Sequence, residues 1–346
     1  MRVMIVGAGA IAYRHAAACA DIGANLIAVC DVRREAADAL GERFGVAHRY
    51  TDLDALLAAE QADVAVVATW GASHAEMVEQ LSRSGRVRAV LCEKPLAMNA
   101  AEAERMARVA AQAGVLLAEA FRLRHQPIHH RAIELIRSGR IGEVVHVRNA
   151  MMLPVAATNR DPARNWRFNK AVGGGVTYDI GCYCINQVRW ALDAEPETVY
   201  ATGRWGPTGV DEHVVALATF AGARTAEWCV SWQAGPAHVA EILGTQGSIR
   251  IQDAWGDGPR TATTLEIFDL GRHRQVETFA PLDQFSLQLA HLRECLERGT
   301  PHRLPPEDSI AQMRVIDAVY ASLASGGPVR LARRAEATGV VSTPPT

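Results

Sequence analysis

A glycine turn near the start of the chain constrains the fold more than any other feature of the sequence. An apolar run at 2–6 leads into this turn, and an alanine-rich stretch at 10–22 follows it. The turn itself reads Gly7-Ala8-Gly9-Ala10-Ile11-Ala12. A strand, a glycine turn and a helix in this order are typical of the first βαβ unit of a parallel sheet. The sequence therefore predicts parallel strands joined by crossover helices.

The same alternation of apolar and amphipathic segments continues to residue 121. Apolar runs predict strands at 2–6, 25–30, 64–68, 88–92 and 115–119. Between them, one-sided charge patterns predict helices at 10–22, 33–43, 73–84 and 99–113. Ser73 and Glu76 have the spacing of a capping box, which predicts that a helix begins there. Residues 1–121 are therefore expected to form a doubly wound α/β domain of the Rossmann type.

After residue 121 the pattern changes, and the 346 residues leave room for a second domain. A helix is predicted at 127–138, and strands follow at 143–152, 197–204, 213–220, 225–232, 238–243 and 248–252. Helical patterns return at 283–297 and 307–325. Successive strands without helices between them predict an α+β domain with a large, mostly antiparallel open sheet at 122–335. Residues 336–346 are expected to be a frayed tail.

Charge and composition exclude several classes of function. Lys and Arg number 36 against 38 Asp and Glu, for a net charge of −2 without a basic run, so a nucleic-acid partner is not expected. The first apolar run is too short for a signal peptide, and no stretch reaches the length of a membrane helix, so we expect a cytoplasmic protein without a membrane partner. Seven scattered cysteines without a C-x-x-C pair favour reduced thiols over disulfides or structural zinc.

The glycine turn is either an ordinary strand-to-helix turn or a dinucleotide site. Asp31 ends the second predicted strand, about twenty residues on, where a carboxylate binds ribose hydroxyls. This context favours a dinucleotide, with its pyrophosphate near Gly7, Gly9, Ala10, Ile11 and Ala12 at the helix N-terminus. Ala12 stands where the fingerprint usually has its last glycine.

The same segment bears on the choice between NAD and NADP. Asp31 favours NAD, because its charge would repel the 2′-phosphate of NADP. Arg33 and Arg34 follow closely and are either solvated charges at a helix start or groups that offset Asp31 and admit NADP. We therefore expect NAD, with NADP possible.

A second candidate site follows the strand at 88–92, where Cys92-Glu93-Lys94-Pro95 lies at the carboxyl edge of the predicted sheet. Ligands of open α/β sheets bind at this edge. Lys94 is either a surface charge or a group that hydrogen-bonds a reacting oxygen. If cofactor charge lowers its pKa, it could also move a proton.

Glu93-Lys94-Pro95 after a glycine-rich nucleotide turn resembles the Gfo/Idh/MocA oxidoreductase family. Residues 69–74 are similar to the family's Thr-Pro-Asn-x-x-His segment, with Trp70 and Gly71 in place of Pro and Asn. The resemblance implies that Thr69, Trp70, His74 and Glu93 approach the cofactor. Trp70 either stacks on it or fills space.

The most specific likeness covers Asn165-Trp166-Arg167-Phe168 and the segment 173–186. It resembles the branch of the family with glucose–fructose oxidoreductase, D-xylose dehydrogenases and dihydrodiol dehydrogenase. If 177–191 is helical, Asp179, Tyr183 and Asn186 point from one face. The resemblance implies that Tyr183 is a general acid/base whose pKa Lys94 lowers, and that Asp179 orients a substrate hydroxyl. The alternative is a packed helix in which Asp179 pairs with an arginine.

Other positions follow from the same resemblance. Trp166 and Arg167 are expected near the nicotinamide and phosphates, or else as a packed Trp beside an exposed Arg. Arg124 and Asn186 are expected to bind substrate. His125, His129 and His130 lack a partnering Cys or Asp, so we expect solvated or substrate-facing histidines and no metal.

The function expected from these features is hydride transfer between a nicotinamide and a carbinol or carbonyl carbon. The substrate would be a sugar, a polyol or a glycoside-like molecule. The alternatives are an NAD-dependent glycoside hydrolase that oxidises its substrate transiently, and a non-catalytic NAD-binding regulator. The open sheet of the second domain is expected to pair copies into a homodimer or homotetramer.

Overall fold

A computed structural model of the protein describes residues 1–256, 262–271 and 273–332. Its first sheet has six parallel strands in the order β3-β2-β1-β4-β5-β6. Their bounds are β1 Arg2–Val6, β2 Asn25–Cys30, β3 His48–Tyr50, β4 Val64–Val67, β5 Ala89–Glu93 and β6 Leu116–Ala120. The predicted doubly wound sheet is confirmed, and the short, partly polar β3 is the strand that the sequence pattern missed.

Five helices connect these strands: α1 Ala10–Asp21, α2 Arg34–Phe44, α3 Leu53–Ala59, α4 Gly71–Arg83 and α5 Ala100–Gln112. The predicted start of α4 at a capping box is wrong. The helix begins at Gly71, two residues before Ser73, and Trp70 occupies the N-cap position. The Ser73 hydroxyl instead donates to Thr69 Oγ1 and to the Trp70 carbonyl.

In the described part of the chain, the second sheet has nine strands in the order β14-β13-β12-β11-β7-β10-β9-β8-β15. Their bounds are β7 Val144–Met152, β8 Thr198–Trp205, β9 Asp211–Phe220, β10 Arg224–Ser231, β11 Ala237–Gly244, β12 Gly247–Gln252, β13 Thr263–Asp269, β14 Arg274–Phe279 and β15 Val329–Arg330. β7 and β10 are parallel, and the other neighbouring pairs among these described strands are antiparallel. The predicted large, mostly antiparallel sheet is confirmed, although β13, β14 and β15 were not predicted.

Helices of the second half cover both sheets. They are α6 Pro127–Arg137, α7 Cys182–Leu192, α8 Gln284–Arg298 and α9 Pro306–Ser325, and a turn of π-helix at Thr177–Gly181 leads into α7.

In β1, side chains alternate between two cores: Val3 and Ile5 face the core that contains Phe285 of α8, whereas Met4 and Val6 face the core shared with the second sheet. The halves are therefore interlocked, and a cleft forms where they meet.

The boundary after residue 121 stays a prediction, and it falls just beyond β6. The tail predicted at 336–346 lies outside the described residues. None of the helices in the described part of the chain is long and apolar enough to span a membrane.

Candidate active site

The glycine turn places the start of α1 at the carboxyl edge of the first sheet. Gly7 has φ +96°, and a Cβ there would lie 2.6 Å from the carbonyl oxygen of Ala68, so only glycine fits. A Cβ at Gly9 would meet no atom within 4 Å, so open space lies over the helix N-terminus. Ala12 is fully buried, so it serves the close packing of helix on sheet. The turn thus fits a pyrophosphate held by backbone N–H groups.

Asp31 braces this turn from the end of β2. Its carboxylate accepts hydrogen bonds from the backbone N–H of Ala8 at 2.7 Å and of Arg33 at 2.9 Å. The Arg33 side chain is 70% exposed, whereas Arg34 pairs with Asp38 one turn along α2 at 3.0 Å. Asp31 is therefore fixed where a ribose would lie, and of the two arginines Arg33 is the more exposed.

A cleft of about 1090 Å³ begins at the glycine turn. It brings together most of the residues that were predicted to contact the cofactor: Gly9, Ala10, Ile11, Thr69, Trp70, His74, Glu93, Lys94, Trp166 and Arg167. Gly7, Ala12, Asp31 and Arg33 do not line it. Trp70 is 58% exposed, which argues against a space-filling role and leaves its ring available to a ligand.

His74 borders the cleft but is almost completely buried. The ring is buried, with Nδ1 3.1 Å from the carbonyl oxygen of Pro95 and Nε2 3.2 Å from that of Thr69. Burial lowers the pKa of His74 despite these carbonyls, and a neutral ring has one N–H, so it donates on one side only, either to Thr69 or to the loop after β5.

Lys94 and Asp179 form an ion pair at the centre of the site. Lys94 Nζ donates to the Asp179 backbone oxygen at 2.6 Å and to Oδ1 at 3.2 Å, and Arg167 Nε donates to Oδ2 at 2.6 Å. Burial alone would raise the pKa of Asp179, but the charges and hydrogen bonds of Lys94 and Arg167 outweigh it and lower the value. Asp179 therefore does pair with an arginine, as the packed-helix alternative expected, and it pairs with Lys94 as well.

The pKa of Lys94 is shifted in the direction opposite to the one expected. Burial lowers it, but the neighbouring Tyr183 and Asp179 outweigh burial and raise it above its usual value. In the protein's own surroundings Lys94 is therefore a permanent cation, which can hold an anionic oxygen but does not readily release its proton.

Tyr183 lies beside this pair with its ring centroid 4.9 Å from Lys94 Nζ. Burial raises the pKa of Tyr183, and the charges of Arg122 and Lys94 offset part of that rise. The contribution of Lys94 thus has the expected sign, although the resulting pKa is raised rather than lowered. Arg122 Nε donates to Tyr183 Oη at 3.1 Å, a contact that sequence reasoning missed.

A second cleft of about 840 Å³ continues from the first. Glu93, Lys94, Arg167 and Asp179 line both, and Tyr183 lines the second. The lysine, the aspartate and the tyrosine therefore lie where a molecule in the second cleft would meet a dinucleotide in the first.

Comparison with known proteins agrees with this geometry. The model of the oxidoreductase family with an NAD-binding Rossmann fold matches residues 1–121, and that of the Gfo/Idh/MocA C-terminal domain matches 129–250. D-xylose 1-dehydrogenase (NADP(+)) 2 from Haloferax volcanii is 31% identical over 85% of this chain and 88% of its own length. The chain belongs to the Gfo/Idh/MocA oxidoreductase family.

Solved structures of similar proteins share the whole architecture. An aldose-aldose oxidoreductase from Caulobacter crescentus, complexed with glycerol, has a TM-score of 0.86 and 28% identity over 96% of this chain and 99% of its own. A 3-ketoreductase from Actinomadura kijaniata, in complex with NADP and TDP-benzene, has a TM-score of 0.85 and 27% identity over 93% and 98%. The predicted family, its NAD(P)-binding Rossmann domain and its enzymatic, oxidoreductase character are confirmed.

Two of the residues predicted to bind substrate, Arg124 and Asn186, line neither cleft. Asn186 is fully buried and donates to Gln312 Oε1 of α9 at 2.9 Å. Arg124 lies 3.4 Å from both Asn186 Oδ1 and Asp308 Oδ2, with its guanidinium over Trp190. Both side chains point into the packing between α7 and α9, because α9 covers this part of the helix, so neither reaches the cleft.

The three histidines after β6 are packed, which corrects the expectation that they are solvated or face substrate. His129 Nε2 lies 2.9 Å from the carbonyl oxygen of Ala254, and His130 Nε2 lies 2.8 Å from that of Arg124. The buried ring of His125 packs against His291 and His302. Within the described ranges, no three His, Cys, Asp or Glu side chains are grouped as metal ligands.

His15 is a second residue of the site that the sequence pattern did not single out. It is fully buried on α1, and its Nε2 lies 2.7 Å from Glu93 Oε1. The other oxygen of Glu93 accepts from the backbone N–H of Lys94 at 3.2 Å. The sequence could have pointed to His15 only through its position. It lies one helical turn beyond the nucleotide turn and thus near the carboxyl edge of β5.

Proposed function

We propose that this Gfo/Idh/MocA oxidoreductase is a dehydrogenase or reductase that transfers a hydride between NAD(P) and a carbinol or carbonyl carbon. Its substrate would be a sugar, a polyol or a glycoside-like molecule. The observation that carries the proposal is the convergence of Lys94, Asp179 and Tyr183 where the two clefts join. The names of the xylose dehydrogenase and the aldose-aldose oxidoreductase support the substrate class.

The cofactor would be held by residues from the first sheet. Backbone N–H groups at the start of α1 would bind the pyrophosphate, and Asp31 would bind the ribose. When bound, the nicotinamide accepts or returns the hydride. Trp70 and Arg167 line the same cleft and would contact it.

The proton that accompanies hydride transfer is assigned to Tyr183. Its hydroxyl can donate to a carbonyl oxygen or, when ionised, accept from a carbinol. Lys94 remains charged and would hold the reacting oxygen by a hydrogen bond, which stabilises negative charge as it develops there. Of the two residues expected to act as acid and base, Tyr183 would therefore carry the proton and Lys94 would act as a fixed cation.

Asp179 supports Lys94 in this scheme. Its two carboxylate oxygens already accept from Lys94 and Arg167, and the remaining lone pairs can still receive a substrate hydroxyl. We propose that the main role of Asp179 is to position Lys94 Nζ.

NAD is the cofactor that we favour. Asp31 is held by two backbone N–H groups and cannot easily swing away from a 2′-phosphate. Arg34 is engaged by Asp38 at 3.0 Å, and Arg33 Nε lies 3.7 Å from Asp31 Oδ1. Arg33 is the more exposed of the two and is the group that would have to admit NADP.

We also propose that the protein is a homodimer or homotetramer paired through the outer face of the second sheet. Tyr200 and Leu217 are cross-strand partners on that face, and Val215 and Leu243 also point outward; each is more than a third exposed. Burial of such side chains favours association. Light scattering should show an oligomer that Leu217→Glu weakens, and a monomeric wild type would refute the proposal.

The cytoplasm is the compartment that we propose for the reaction. The seven cysteines are free, and six of them are buried, as expected of thiols that are kept reduced. Cell fractionation of the native host would test it, and recovery from an extracellular fraction would refute it.

A substrate screen tests the central proposal. Aldoses, inositols, glycosides and nucleotide sugars are incubated with NAD or NADP, and reduced cofactor is followed by absorbance. We expect turnover of at least one carbinol substrate, with kcat lower by on the order of 10²–10⁴ in Tyr183→Phe. Cleavage of a glycoside without net change in cofactor would instead favour the hydrolase, and cofactor binding without turnover of any compound would favour a regulator.

A further inference from the structure

Arg122 contacts the hydroxyl of Tyr183, the proposed proton carrier. It follows β6 in a short helical turn, Arg122–His125, and its Nε donates to Tyr183 Oη at 3.1 Å. The guanidinium carbon lies 5.0 Å from the centroid of the Tyr183 ring. Both residues line the second cleft, and Arg122 is only 8% exposed.

The guanidinium is also held in place by two further segments, 255–256 and the start of α8. Nη1 donates to Gln284 Oε1 at 2.6 Å and to the carbonyl oxygen of Gly256 at 3.3 Å, and Nη2 donates to that of Trp255 at 3.2 Å. The hydrogen bonds involve different nitrogens of the planar guanidinium, so together they fix its orientation. The charge beside Tyr183 is therefore fixed before any substrate enters.

Other charged or titratable groups also face Tyr183. Lys94 lies over its ring, Glu93 is nearby on the same strand end, and Cys182 precedes it in the chain. The Phe121 ring packs against it with a centroid distance of 5.1 Å. Burial and the two acidic groups favour the neutral phenol, whereas Arg122 and Lys94 favour the ionised form.

We propose that Arg122 is a positioning residue that directs the Tyr183 proton toward the second cleft and stabilises the tyrosinate which accepts the carbinol proton. Arginine can only donate, so the phenol must direct its own proton elsewhere, and the cleft lies beside it. When the carbinol is oxidised, its proton moves to Tyr183 Oη while Arg122 keeps all of its own. This inference rests on the proposed function and adds a residue to it.

The first test is the pH profile of kcat/KM in the direction of carbinol oxidation. Arg122→Gln should move the inflection that reports Tyr183 from its wild-type position to a pH higher by about 1–3, since an opposite charge at this distance lowers a pKa by that much. For an inflection that moves up by about 1 in pH, the rate at neutral pH should fall about tenfold. Arg122→Lys retains the charge and should return the inflection part of the way toward wild type.

A matched control separates this effect from a loss of packing. Arg124→Gln removes another arginine, partly buried and two residues away, whose hydrogen bonds go to Asn186 and Asp308. It should lower Tm without moving the Tyr183 inflection. If Arg122→Gln lowers Tm and activity but leaves the inflection in place, Arg122 is merely structural and the inference is overturned, while the proposed function stands.

A second measurement needs no turnover. Ultraviolet difference titration of the substrate-free protein, with Tyr183→Phe as the subtraction, reports ionisation of this one tyrosine among six. Tyr183 should ionise at higher pH in Arg122→Gln than in wild type. Gln284→Ala loosens the guanidinium and should cause a smaller change in the same direction, which provides the test if Arg122→Gln does not fold. Equal titration in wild type and every folded variant would overturn the inference, whatever the substrate screen finds.

Discussion

Replacement of Asp179 by Asn distinguishes a residue that positions Lys94 from one that binds substrate directly. The change keeps the side-chain shape but removes the charge that faces Lys94 Nζ at 3.2 Å and Arg167 Nε at 2.6 Å. The Asp179 and Lys94 side chains are 6% and 13% exposed, whereas that of Arg167 is 41% exposed. Solvent screens the pair with Arg167, so the loss of the Lys94 pair should dominate.

The expected cost follows from that burial. Removal of one partner of a buried ion pair costs about 3–5 kcal/mol, and we expect the lower end because the Asn oxygen still accepts one hydrogen bond. At about 2 °C per kcal/mol for a large domain, Tm should fall by roughly 6 °C. Loss of a charge-assisted hydrogen bond, about 1.5–3 kcal/mol, should lower kcat/KM by about 10- to 150-fold.

Steady-state kinetics and thermal melting test both numbers. The loss should appear in kcat, because Lys94 is displaced from the reacting oxygen while the rest of the cleft is intact. Glu134→Gln is the matched control, since it makes the same chemical change in an exposed pair with Arg131 on α6 and should alter neither quantity. A raised KM with unchanged kcat and Tm would refute the reasoning and make Asp179 a substrate-binding residue.

Four further outcomes are expected. Lys94→Ala and Tyr183→Phe should each lower kcat by on the order of 10²–10⁴ with little change in cofactor affinity, and a fully active Tyr183→Phe would remove tyrosine from the mechanism. Fluorescence titration of wild type should show tighter binding of NAD than of NADP, and the ratio of the two affinities should be smaller in Asp31→Ala. Tighter binding of NADP by wild type would contradict the role of Asp31. Burial raises the pKa of Glu119 from 4.5 to about 7, so the folded state holds an extra proton between these two pH values. The free energy of unfolding therefore falls as pH rises through this range. Glu119→Gln should melt several degrees higher than wild type at pH 8 but not at pH 4. Burial lowers the pKa of His129 from 6.5 to about 4, so stability should fall as pH drops through that window, and melting curves of His129→Gln should show a smaller fall.

Local sequence patterns were sufficient for the elements that depend on neighbours in the chain. Apolar runs and one-sided helices located most strands and helices, because side-chain periodicity is set within a few residues. The turn at Gly7 was recognisable because only glycine adopts its backbone without strain. Lys94 was singled out as a candidate because it lies at the carboxyl edge of a parallel sheet, where ligands bind, and because Glu93-Lys94-Pro95 resembles a motif of the family.

Periodicity did not determine partners that are distant in the chain. Arg122 meets Tyr183, and His15 meets Glu93, only because the sheet order and the packing of the two halves bring those segments together. Asn186 shares a helix with Tyr183, yet the packing of α9 decides that it is buried in the core rather than exposed to the cleft.

The sequence by itself therefore determined the class of fold and the nucleotide turn, and the family resemblance supplied Lys94, Asp179 and Tyr183 as candidate reacting groups. The tertiary structure decided their electrostatics. The pKa of Lys94 is raised and that of Asp179 is lowered because each is buried against the other, and the pKa of Tyr183 reflects burial opposed by two cations. A pKa depends on distances and on exclusion of water, and both are properties of the packed molecule rather than of the order of residues along the chain.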